Sequence, residues 1–368
     1  MNGTGSRRIV VKIGTSSITE GGGRLDEAAM EKLCAELCAL RDLGHQVVLV
    51  SSAAIAAGMA KMGLDERPRD FESLQALSAV GQIQLMGVYD RICTEMGVTV
   101  GQVLLAPPDF FERGRYLRAR SCLDQQLARG VLPIVNENDA VADDAIRFGD
   151  NDRIAALVAQ LVGAELLILL TDTEGLLTAD PNVDSSASLI EEIVTIDAEL
   201  ESLAGGAAST MSQGGMASKL SAAKIASWSG VTAVIAAAHR TDVLVDVVGE
   251  RPGVGTVVRP RESNLNARKL WIAFALGAAG SITVDEGAKQ ALLTKGVSVL
   301  PVGVTGCIGD FGVGDAVEIC GPDDAPFAKG LVRCTTADLA QVQGLRTADL
   351  PTDAIREVIH RDDLVVLP

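Results

Sequence analysis

Val131-Leu132-Pro133-Ile134-Val135-Asn136-Glu137-Asn138-Asp139, then Ala140 to Phe148 and Gly149-Asp150-Asn151-Asp152, is the stretch on which the fold of this chain turns. An apolar run that fits a buried strand breaks abruptly into carboxylates and carboxamides. Open α/β sheets place their ligand groups in this way, beyond the carboxyl end of a strand. The same residues also fit a plainer reading, an acidic surface loop in which Asp150 or Asn151 caps a helix, since Asn and Asp are favoured N-caps. On this stretch alone both readings stay open.

Outward from it, strands and helices alternate. Towards the N-terminus lie a strand-like run at 99–105, Pro107-Pro108 as a breaker, and a helix at about 113–127. Before them come a helix over 74–96 and a strand at 46–50 that ends in Ser51-Ser52-Ala53-Ala54-Ile55-Ala56-Ala57-Gly58. Met30, Leu33, Leu37 and Leu40 mark an amphipathic helix over 26–43, stopped by Gly44. The first strand, 9–13, ends in Lys12-Ile13-Gly14-Thr15-Ser16-Ser17. A Lys there points a charge at the sheet edge and Gly14 lets a backbone approach phosphate, although a solvated Lys in a flexible turn is the commoner meaning. The order GxxxxGK[ST] is absent, so no P-loop mechanism applies.

Towards the C-terminus follow a helix at 153–162 and an apolar strand at 166–170 ending in Thr171-Asp172. A Gly-rich loop, Gly205 to Met216, then feeds a helix with Lys219 in its first turn. Such a loop is a plausible phosphate cradle at a helix N-terminus, or plain flexible chain. Strands at 231–236 and 255–258, with a helix at 241–249, complete an α/β domain whose mostly parallel sheet is sandwiched by helices. The chain is therefore expected to hold this domain at 1–258, a polar linker at 259–270, and a small β-rich domain at 271–368. In the last, strands are expected at 281–284, 297–301, 316–319 and 330–334 around one helix near 286–295.

Composition narrows the function classes. A chain of 368 residues is long enough for two domains. No apolar run reaches the roughly 18–20 residues of a membrane span, which points to a cytoplasmic enzyme. The formal net charge of −16 disfavours general affinity for nucleic acid or anionic membrane. Seven Cys contain no CxxC pair and read as free thiols of a reducing compartment, and three scattered His leave little for a His-based metal site or triad.

With these residues laid out, the chain resembles the amino-acid kinase family nearly end to end, in the glutamate-phosphorylating branch that carries a C-terminal PUA domain. The likeness rests on Val11-Lys12-Ile13-Gly14-Thr15-Ser16, Val50-Ser51-Ser52 through Gly58, Ala79-Val80-Gly81-Gln82, Val135 through Val141, Gly149-Asp150-Asn151-Asp152, Thr171-Asp172, Gly214-Gly215-Met216 through Lys219, and Ile282-Thr283-Val284-Asp285-Glu286-Gly287-Ala288. Together and in order they are highly specific. Two departures show: Ser212-Gln213 stands where the family usually has Gly-Thr, and Ser52-Ala53 where Ser-Gly is usual.

The resemblance implies transfer of the ATP γ-phosphoryl group to the side-chain carboxylate of L-glutamate, the first step of proline synthesis. It implies that Lys12 and Lys219 hold the transferring phosphoryl while Asp152 orients them. Ser52, Asp139 and Asn151 would bind glutamate, with Asp139 near its amino group. Lys12, Thr171, Asp172 and the loop Gln213, Gly214, Gly215, Met216, Ala217, Ser218 and Lys219 would line the nucleotide site. ATP and Mg²⁺ are expected, the metal bound through nucleotide oxygens and not by a protein cage. The resemblance further implies proline as feedback inhibitor, a homo-oligomer, and hand-over of product to glutamyl phosphate reductase. Two alternatives remain: a kinase of the same fold acting on aspartate, N-acetylglutamate or a nucleoside monophosphate, and an RNA-binding protein acting through the PUA-like part. Against RNA, residues 271–368 carry 7 Lys and Arg but 13 Asp and Glu, a poor footprint for a polyanion.

Overall fold

The computed structural model describes residues 5–141, 151–179, 184, 186–205, 215–261, 265, 267–351 and 354–367. They form two compact units, 1–264 and 265–368. The first runs β1 (Arg8–Lys12), α1 (Glu27–Asp42), β2 (Gln46–Val50), α2 (Ala54–Met62), α3 (Phe71–Glu95), β3 (Val100–Leu105), the single turn α4 (Pro108–Phe111), α5 (Arg113–Ala128) and β4 (Leu132–Glu137). It continues through α6 (Asn151–Val162), β5 (Leu166–Thr171), the two-residue β6 (Glu192–Ile193), α7 (Ala198–Gly205), α8 (Met216–Trp228), β7 (Thr232–Ala237), α9 (Val243–Val248) and β8 (Thr256–Val258).

Eight strands pair in the order β3-β4-β2-β1-β5-β7-β8-β6, and all are parallel from β3 to β7. β8 turns back antiparallel on β7 and carries β6 alongside. The central strands are apolar on both faces because helices cover both, as parallel sheets require. Every residue of β4 and β5 is buried, whereas the edge strand β3 is only half covered. α1 and α3 start where Asp26 and Asp70 accept the backbone N–H of Ala29 and Ser73.

Register decides where a ligand can sit. Lys12 is level with Val50 of β2 and Leu169 of β5, and Val50 is level with Val135 of β4. The chain winds to one side of β1 through β2, β3 and β4 and to the other through β5 and β7, so the crevice beyond Lys12 is a topological switch point. Two boundaries differ from the sequence expectation there. β4 continues through Asn136 and Glu137, and α6 begins at Asn151, so residues read as a candidate surface loop are held inside regular elements with Asn136, Asn151 and Asp152 buried.

In the second unit α10 (Ala267–Leu270) and a π-helical turn, Trp271–Ala275, precede β9 (Gly280–Val284), α11 (Glu286–Lys295), β10 (Val304–Gly309), β11 (Ala316–Cys320), β12 (Pro326–Val332), α12 (Thr336–Val342) and β13 (Ile359–Val366). The sheet order is β10-β9-β11-β12-β13, with only the β9–β11 pair parallel. Ile282, Val284, Leu292, Phe311, Val317 and Ile319 lie in its core. The strand expected at 297–301 is only a bridge from Val299 to Ile359, because Pro301 lacks an N–H and opens a 3₁₀ turn. The next strand is β10, whose Gly306 and Gly309 hide it from a pattern search, and the strand expected at 330–334 is β12, set four residues earlier. Of the expected linker, Arg259 and Arg261 are tied to the first unit: Ser227 Oγ donates to Arg259 O, Arg261 N donates to Ser227 O, and the Arg261 guanidinium lies 4.4 Å over Trp228. No described helix is long and apolar enough to cross a membrane.

Candidate functional site

Three charged side chains from three elements meet beyond the end of β1. Lys12 Nζ lies 2.6 Å from Asp152 Oδ1, and Lys219 Nζ lies 3.4 Å from Asp152 Oδ2. Ser218 Oγ donates to that same Oδ2 at 3.0 Å. All three charged groups are 4% exposed or less, so water screens them little and their attraction is strong. The fold imposes the meeting: Lys12 ends a central strand, Asp152 stands in the first turn of α6, and Lys219 in the first turn of α8, with α6 packed on both β1 and α8. One carboxylate thus holds two ammonium groups in fixed directions, which suits a developing phosphoryl charge better than tight binding of a neutral ligand.

Beside this triad runs a chain of carboxamides. Asn151 Nδ2 donates to Ser52 Oγ at 3.2 Å and to Asn136 Oδ1 at 3.0 Å. Asn136 Nδ2 donates to Gln82 Oε1 at 2.9 Å, and Asn136 Oδ1 also takes the N–H of Glu137. Ser52 is held where β2 turns into α2. Its neighbour Ser51 shares a 2.9 Å hydroxyl bond with the fully buried Tyr89, and Ala53 adopts a left-handed backbone, φ 79°. A left-handed Ala is strained and a Gly is not, which explains why Ser-Gly is the usual pair there.

Asp139 is the buried residue of a 3₁₀ turn after β4, Asp139–Val141, that packs on α3. Burial raises its carboxyl from 3.8 to about 6, against the opposing pull of Arg67. Ionising this carboxyl is therefore costly to the folded protein, and a perturbed carboxyl of this kind marks a candidate functional group. Thr171 ends β5 and donates to Asp172 Oδ1 at 3.0 Å. Both line a cavity of about 480 Å³ with Ser16, Ser17, Lys32 and His239. That is the size of a small-molecule site.

Of the residues singled out from sequence, Lys12, Asp152, Ser218 and Lys219 come together in one cluster and Ser52 and Asn151 in the next. Thr171 and Asp172 line the cavity. Gly215, Met216 and Ala217 lead α8 towards Lys219. Gln213 and Gly214, with Ser212, Gly149 and Asp150, lie outside the described residues. Sequence reading assigned no role to Gln82 and Asn136, although both lie in motifs it quoted. The carboxamides give no periodic signal, and only their mutual hydrogen bonds reveal them. Among the described residues no group of three or more His, Cys, Asp or Glu is placed to hold a metal ion.

Residues 7–237 match the amino acid kinase family and residues 280–352 match the PUA domain. A glutamate 5-kinase of Burkholderia multivorans is 43% identical over 366 residues, covering 98% of this chain and 98% of the relative. That of Moorella thermoacetica is 44% identical over 367 residues, 98% of this chain and 97% of the relative. Among solved structures, a carbamate kinase from Giardia lamblia bound to AMP-PNP superposes with a TM-score of 0.50 at 17% identity, over 70% of this chain and 99% of that one, a likeness of fold alone.

Proposed function

The chain belongs to the amino acid kinase family, and on that premise we propose that it transfers the γ-phosphoryl group of ATP to the side-chain carboxylate of L-glutamate. The product is L-glutamyl 5-phosphate, and the reaction opens proline biosynthesis. The observation that carries the reading is the buried pair of lysines sharing Asp152 beside the Ser52–Asn151–Asn136 chain, at the switch point of the sheet.

Each part has a task. A carboxylate substrate is already ionised near neutrality, with a pKa of about 4.3, so transfer needs no general base. What it needs is in-line placement and cations facing the transferring group. Lys12 and Lys219 supply the cations, and Asp152 fixes their direction. Ser218, bonded to Asp152, keeps the carboxylate turned to both. Ser52 and Asn151 hold glutamate, and Asp139 faces its ammonium group. Thr171, Asp172 and the loop from Gln213 to Lys219 take the nucleotide. Mg²⁺, bound mainly through nucleotide oxygens, would supply charge neutralisation on the phosphates when ATP is present.

Around the reaction we place further expectations. An acyl phosphate hydrolyses readily, which favours a closed site and hand-over to glutamyl phosphate reductase. Proline acts as feedback inhibitor, the protein is a homo-oligomer, and it works in the cytoplasm. The 1–258 part carries the chemistry, since every residue named for it precedes Val258. The test of the reaction is glutamate-dependent ADP release in the presence of Mg²⁺, and its absence from the folded protein overturns the reading.

A further inference from the structure

Gln82 lies on α3, away from the charged triad, and the chain of carboxamides ends on it. Backbone contact fixes its place. A Cβ on the preceding Gly81 would sit 1.7 Å from Ala54 O, and one on Gly58 would sit 2.0 Å from Leu77 O, so α2 and α3 touch main chain to main chain. That close approach brings Gln82 to the end of β4, within reach of Asn136.

A carboxamide oxygen only accepts and its nitrogen only donates, so each link of the chain orients the next. Gln82 Oε1 is committed to Asn136 Nδ2, which leaves Gln82 Nε2 facing away; Asn151 Nδ2 is committed to Ser52 and Asn136, which leaves Asn151 Oδ1 facing away. Both of these atoms are shielded from solvent and have no hydrogen-bond partner. Buried polar groups in native proteins are almost always paired, so an orphaned donor and an orphaned acceptor at the two ends of one network call for a ligand. Their signs describe it: a group that accepts at Gln82 and a group that donates at Asn151.

We propose that Gln82 is a specificity residue for the amino-acid substrate, donating Nε2 to the α-carboxylate of glutamate while its Oε1, through Asn136, turns Asn151 Oδ1 towards the α-ammonium. The proposal rests on the glutamate reading given above and adds to it the residue that recognises the end of the substrate remote from the transferred phosphoryl. The α-carboxylate is the partner because the side-chain carboxylate has to reach Lys12 and Lys219, whereas Asn151 and Asp139 gather at the ammonium.

Gln82→Glu separates direct contact from support. It keeps an oxygen to accept from Asn136 and replaces the Nε2 donor by a carboxylate oxygen, which repels an α-carboxylate and accepts from an α-carboxamide. L-Isoglutamine has that carboxamide and keeps the side-chain carboxylate. The expected result is a KM for L-glutamate raised at least 10-fold, the order of a lost hydrogen bond to a charged group, with the KM for ATP within about twofold. The preference for L-isoglutamine over L-glutamate should rise by at least a further 10-fold. Gln82→Met, which removes both amide ends without adding charge, should weaken L-glutamate more than L-isoglutamine. Equal loss for the two substrates in both variants, or unchanged glutamate KM, overturns the proposal. Turnover of L-glutamate by the unaltered protein decides the reaction separately. The Gln82 ratios can also be read as Kd by titration calorimetry with L-glutamate and L-isoglutamine, so the two readings can fail independently.

Discussion

Asp139→Asn keeps the shape of a buried carboxyl and removes its charge, which separates what the group costs the fold from what it does for the substrate. In the folded protein the carboxyl titrates at about 6, against an ordinary 3.8, because burial penalises the ionised form. At 1.36 kcal/mol per pH unit, keeping it ionised costs the fold about 3 kcal/mol. The folded value lies above the unfolded one, so the folded state holds its proton longer. Asp139 is therefore harmless to stability below pH 3.8, becomes costly as pH rises towards 6, and stays costly above it. The variant has no such term. Urea unfolding of both proteins without substrate, from pH 4 to 8, should find them nearly equal at pH 4 and the variant about 3 kcal/mol more stable at pH 7.5. Its KM for glutamate should rise at least 10-fold with that for ATP little changed, since a carboxylate facing an ammonium forms a charge-assisted bond. A stability difference that does not grow with pH would refute the claim that the site holds a desolvated anion in readiness for substrate.

The remaining expectations concern the triad and the turn beside Ser52. Lys12→Ala and Lys219→Ala should each lower kcat by roughly 10²–10³, the usual cost of removing one preorganised electrostatic donor, and a normal kcat in either folded variant would remove that role. Asp152→Asn should destabilise the first unit by about 3–5 kcal/mol in urea at pH 7, because two buried ammonium groups lose their shared counter-charge; a stable variant would mean that other groups hold the lysines. Ala53→Gly should raise stability by roughly 0.5–1 kcal/mol, the relief of a left-handed Ala less the added freedom of Gly in the unfolded chain. A loss of stability in that variant would show that the Ala53 methyl contributes packing worth more than the strain.

The α/β class and most of the first unit were readable because buried parallel strands are continuous apolar runs and α1 has clean amphipathic spacing with an Asp cap. Register and sheet order were not readable: nothing in the local pattern says that β5 lies beside β1 or that β8 runs antiparallel to β7. The charged site residues were found from strand ends and from resemblance. Gln82 was quoted within a motif but given no role, because its placement comes from the backbone contact of Gly58 and Gly81, a tertiary effect, and its hydrogen-bond partner Asn136 lies 54 residues away. In the second unit the missed strands β10 and β13 carry glycines and charged residues that break alternation, and their pairing is set by neighbours and not by propensity.

The central claim is that Lys12, Asp152 and Lys219 serve transfer to the side-chain carboxylate of free glutamate, chosen by groups that grip both its α-substituents. Incubation with ATP, Mg²⁺ and hydroxylamine, with L-glutamate, L-aspartate or N-acetyl-L-glutamate as acceptor, tests it most directly by trapping acyl phosphate as hydroxamate. The account predicts hydroxamate from L-glutamate and little from the other two, since a shorter or amino-blocked acceptor leaves buried polar groups unpaired. Equal hydroxamate from N-acetyl-L-glutamate, or none from L-glutamate, would contradict it.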